Sequence, residues 1–111
     1  MTLMLVRAEI LSSAVEDFCG MWEVLWALRS RYPDATEIEL KDVAINEMLE
    51  LLRSDLIRLY SGDLFEGEEK ALKTEEASSE ILLAENWIPP QQGKPHVRFA
   101  ATEHGESLYY S

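Results

Sequence analysis

Residues 20–32, Gly-Met-Trp-Glu-Val-Leu-Trp-Ala-Leu-Arg-Ser-Arg-Tyr, constrain this chain more than any other stretch. Placed at steps of about 100°, Phe18, Cys19, Met21, Trp22, Val24, Leu25, Trp26, Leu28 and Tyr32 spread over an arc of roughly 220°. A helix lying on a core from one side needs a stripe only somewhat wider than ~100°. The expectation is a helix ended by Pro33, covered on two sides and central to the domain. Phe18, Trp22, Leu25 and Leu28 should then be buried, together with Leu49, Leu52 and Leu56.

The flanking segments supply the cover. Residues 3–17 read as helix, with Ser13 and Glu16 spaced as a capping box if a new helix begins there. Gly20 bends or breaks the path into the next element. Thr36 is a good N-cap, followed by Glu37 and Glu39 at the positive end of the helix dipole. From there Ile38, Ile45, Met48, Leu49, Leu52 and Leu56 keep a helical stripe, and periodicity leaves open whether 37–54 is one helix or two. Leu56–Tyr60 alternates as a short strand and Ser61-Gly62-Asp63 turns it. Residues 63–74 are an acidic, polar loop, 75–85 a short helix, and the Pro-rich stretch 89–95 a loop. Val97–Ala101 is a second strand, expected to pair antiparallel with Leu56–Tyr60. Thr102 caps a last helical turn running to Tyr110. The fold class is α+β, mainly helical, and 111 residues suit a single domain over 1–111.

Charge narrows the function classes. The chain carries 21 acidic against 10 basic side chains, a net charge of −11. Such a surface repels nucleic acid and anionic membranes and attracts basic partners. One cysteine, Cys19, leaves no internal disulfide framework and no cysteine-rich zinc site, which fits a cytoplasmic protein. The opening Met1-Thr-Leu-Met-Leu-Val-Arg7 is too short for a signal-peptide core, and no apolar run nears the ~20 residues of a membrane span.

No catalytic pattern is present, and no cofactor or metal site is implied. His96 and His104 lie eight apart across a strand-to-helix junction, unlike the spacing of metal-binding pairs on one helix face. Cys19 sits in the apolar arc as a small core residue rather than a nucleophile. Nucleophile-elbow, P-loop and dinucleotide-binding glycine patterns are absent. The reading is non-enzymatic.

Two stretches carry a family resemblance. Leu49-Glu-Leu-Leu52-Arg-Ser-Asp-Leu56-Ile57-Arg-Leu59-Tyr is similar to the end of the third helix of the winged helix-turn-helix superfamily running into its second strand. There a Gly usually stands where this chain has Asp55, and Asp tolerates a left-handed backbone. Phe99-Ala-Ala-Thr102-Glu-His-Gly105-Glu resembles the final wing strand entering the closing helix, where Thr, Glu and Gly recur in those relative places. The resemblance covers residues 20–62 and 96–110. It implies a winged-helix-like domain with an N-terminal helix and a long helical insertion in the wing, about 35 residues between the strands. It also implies a DNA-binding transcriptional regulator, using Arg29, Arg31, Arg53, Arg58 and Arg98.

The local charges argue against that function. In the stretch equivalent to the recognition helix, Glu47 and Glu50 oppose Arg53, and the insertion carries Asp63, Glu66, Glu68 and Glu69 against Lys70 and Lys73. DNA affinity rests on several Lys or Arg contacts to phosphate. The favoured partners are therefore proteins, a second copy of the chain (a homodimer) or another protein, with neither nucleic acid nor membrane. Trp22, Trp26 and Trp87 are the candidate interface residues, since tryptophan is enriched at interface hot spots. Against this stand burial of Trp22 and Trp26 within the monomer, Trp87 as a pin for the insertion, and the acidic run 63–69 as a solvated loop.

Overall fold

In the computed structural model, which describes residues 3–16, 18–62, 69–89 and 96–111, the chain opens with α1 (Leu3–Glu16), β1 (Cys19–Gly20) and α2 (Met21–Arg31). It continues through α3 (Glu37–Arg53), β2 (Ile57–Gly62), β3 (Glu69–Ala71) and α4 (Thr74–Leu82). A 3₁₀ turn (Ala84–Trp87), β4 (His96–Ala101) and α5 (Glu103–Tyr110) complete it. The result is a mainly helical α+β fold built on one open antiparallel sheet in the order β1-β4-β2-β3.

The long-range strand pairing is the expected one. β2 and β4 pair antiparallel from Ile57 opposite Ala101 to Gly62 opposite His96. Alternation places Cys19, Phe99 and Leu59 in one row across three strands, all buried, beneath the helices. α1 packs on α3, α5, α2 and β4, with Val6, Ile10, Leu11 and Ala14 buried. It is continuous to Glu16, so Ser13 and Glu16 open no new helix. α4 packs on α3 and β2, which seats the insertion against the domain.

Several expectations need correction. Phe18 is 40% exposed, because Phe18–Gly20 leaves the helical path and Cys19–Gly20 joins β4 as a strand. Alternation then turns Cys19 inward, while Phe18 packs edge-on to Tyr60, with ring centroids 5.1 Å apart, under the Arg98 guanidinium. Helix geometry starts only at Met21. Its buried residues Met21, Val24, Leu25 and Leu28 span roughly 100°, a one-sided stripe, so α2 is not covered on two sides.

On α3 the expected stripe is out of phase. Residues 37–53 form one helix whose buried side is Leu40, Ala44, Glu47, Met48, Leu51 and Leu52. Ile38 is 77% exposed, and Ile45 and Leu49 are half-buried. The observed face turns Glu47 inward, where Arg7 reaches it, its Nε donating to the carboxylate at 2.8 Å. β1 and β3 were not expected, and the helix expected over 75–85 ends at Leu82 before the 3₁₀ turn. The expected end of the first helix at Asp17, the acidic run over 63–68 and the Pro-rich loop over 90–95 lie outside the described residues.

The junction between α3 and β2 holds the fold together. Asp55 adopts φ 59°, its N–H donates to the Leu52 carbonyl at 3.1 Å, and the Leu56 N–H reaches the Leu51 carbonyl at 2.9 Å. This is a Schellman cap with Asp in the left-handed position and buried Leu51 and Leu56 as its apolar pair. Thr102 then binds the same turn: its N–H donates to the Leu56 carbonyl (3.1 Å) and its hydroxyl to the Asp55 carbonyl (2.6 Å). The same hydroxyl accepts the Gly105 N–H at 3.0 Å, capping α5. A Cβ on Gly105 would lie 2.0 Å from the Leu56 carbonyl oxygen, so only glycine fits. Gly105→Ala should therefore lower the unfolding free energy in urea by ~1–3 kcal/mol through overpacking, whereas Asp55→Gly should stay within ~1 kcal/mol of the parent, relieving the left-handed turn.

Candidate interaction surfaces

The three tryptophans have different fates. Trp26, on the outward side of α2, is 54% exposed and meets Trp22 edge-on, with ring centroids 4.7 Å apart. Trp22 is half-buried and folds back over the helix N-terminus: a Cβ on Gly20 would lie 2.4 Å from its indole nitrogen. That nitrogen is buried without a hydrogen-bond partner among the described residues. Gly20 caps the helix and donates its N–H to Glu23 at 2.6 Å, which fixes the base on which the Trp22 ring lies. Trp22 and Trp26 thus form one aromatic pair presented by α2.

Trp87 does not belong to that surface. It is 3% exposed, and its indole N–H donates to the Ile81 carbonyl at 2.8 Å, at the end of α4. Asn86 adds two bonds to Glu80, one to the carbonyl and one to the carboxylate, at 2.7 and 2.8 Å. The 3₁₀ turn is thereby folded back on α4, and Trp87 is a core pin for the insertion rather than an interface residue.

A second apolar exposure lies on the N-terminal helix, where the apolar run Leu3–Leu11 suggests a cover for α2 from the same chain or from a symmetric neighbour, and on α5, which the sequence did not single out. Leu5 on α1 is 49% exposed, and on α5 Leu108, Tyr109 and Tyr110 are 49%, 42% and 73% exposed. The two helices pack together, with the Tyr109 hydroxyl 3.4 Å from the Ser12 hydroxyl. The usable signal was Leu5, the apolar exception on a side of α1 otherwise made of Glu9, Ser12, Ser13 and Glu16.

The arginine side chains are largely committed. Arg7 pairs with Glu47, Arg29 with Glu37, Arg31 with Glu9 at 3.0 Å, Arg53 with Glu50 at 3.3 Å and Arg58 with Asp55 at 3.9 Å. Arg98 lies 5.2 Å over the Phe18 ring. Meanwhile the exposed ridge of α3, at helical spacing, is Glu39, Asp42, Asn46, Glu50 and Arg53. It is negative along most of its length.

Candidates for chemistry are dispersed. Cys19 is buried, and its thiol is pushed up to about 12, first by burial and then by the Glu23 carboxylate, against an opposing hydrogen bond from Ser13. His104 is exposed on α5, and the side chain of His96 lies outside the described residues. Among the described residues no group of three or more His, Cys, Asp or Glu is placed to hold a metal ion. No helix is long and apolar enough to cross a membrane among those residues. An open depression of about 540 Å³ is lined by Asp55, Arg58, Tyr60, Thr102, Glu103 and His104. The Thr102 hydroxyl there is already committed to Asp55 and Gly105.

No protein-family model, curated protein or solved structure matches the chain.

Two outcomes follow from these placements. Trp87→Ala should cost ~3–5 kcal/mol of unfolding free energy, and Trp26→Ala less than ~1 kcal/mol in the monomer, measured by urea denaturation. The Cys19 thiol should resist iodoacetamide at pH 8 in the folded protein and react on unfolding. Because its folded value is raised, the native state binds the extra proton between pH 9 and about 12, and stability attributable to this group falls as pH rises through that window. Comparing Cys19→Ser with the parent across pH 8–11 should isolate that loss, with the parent declining more steeply.

Proposed function

We propose that this chain is a non-catalytic protein-interaction or regulatory module on a winged-helix-like scaffold, working through self-association or contact with another protein. The scaffold reading is supported by the element order: helix, short strand, two helices, strand, insertion, strand, with the first and last strands adjacent. It is also supported by Asp55 in the left-handed position and by the Thr102–Gly105 lock, the places where the sequence resembles that superfamily.

One observation carries the functional reading. The surface offers exposed aromatic and aliphatic side chains on α2, α1 and α5, while its arginines are paired and the outward ridge of α3 is acidic. In a winged-helix arrangement that ridge is the one turned toward DNA, and phosphate contacts there require cations. Glu39, Asp42 and Glu50 supply the opposite charge. Exposed Trp, Tyr and Leu, by contrast, are what protein interfaces bury.

The alternative, DNA binding by a transcriptional regulator, is favoured by element order alone, which does not carry function across. Fluorescence anisotropy with a labelled random duplex separates the two. The expected result is no binding up to ~50 µM protein at moderate salt, and salt-sensitive micromolar binding would overturn the proposal. Sedimentation equilibrium tests the positive half: an average mass above that of one chain is expected at ~100 µM, in the range of weak specific dimers.

A further inference from the structure

We draw no further inference here: the strongest candidate, the aromatic surface patch made by the Trp22–Trp26 pair of α2 and by Phe18 and Tyr60 on the outer face of the sheet, is an exposed face of which nothing in the structure shows what covers it.

Discussion

The backbone of Leu56 is the point on which the rest of this structure depends. Its N–H closes the cap of α3, its carbonyl accepts from Thr102 at the end of β4, and Gly105 of α5 packs within the space a methyl would need. One residue therefore fixes where α3 stops, where β2 starts, how β2 aligns with β4 and how α5 is seated. A displaced Leu56 would slip the pairing of Ile57 with Ala101, and a one-residue slip turns every buried side chain of a strand to the opposite face. Because α5 lies against α1, the same junction also positions Tyr109 beside Ser12.

Charge is arranged around that frame with most of the arginines engaged. Arg7 is the most consequential of the arginines, since it satisfies Glu47, a carboxylate 5% exposed within the α1–α3 contact. Removing the arginine would leave a buried charge without its partner, which is the costly way to break such a pair. The other ion pairs are exposed and contribute little to stability, but they occupy cations that a phosphate-binding surface needs free. The excess of acid falls on solvent-facing ridges such as that of α3, where it favours solubility.

The insertion between β2 and β4 is a packed part of the domain rather than an appendage. β3 extends the sheet beyond β2, α4 covers part of α3, and Trp87 and Asn86 tie the following turn to the end of α4. Burial of one large aromatic supplies much of the apolar area that a segment this short can contribute. The same residue type serves opposite ends in α2, where Trp26 is left open to solvent.

What the sequence determined by itself was local or periodic. The helix at α3 with its Thr36 cap, the alternating β2 and β4, the left-handed Asp55, the Thr102 cap and the helical insertion were legible because each depends on residues a few positions apart. The β2–β4 pairing was legible as well, through the family resemblance. The tertiary structure decided which side of each helix faces in. Phe18 lies off the helical path because Cys19 and Gly20 beside it pair with β4, Glu47 lies inside where Arg7 from α1 reaches it, and Trp87 was buried by the end of α4. Tyr109 came to lie beside Ser12 only because the Leu56 junction set α5 against α1. Hydrophobic periodicity measures how much of an element is apolar, whereas contacts between residues distant in the chain choose which part is covered, and no local pattern contains them.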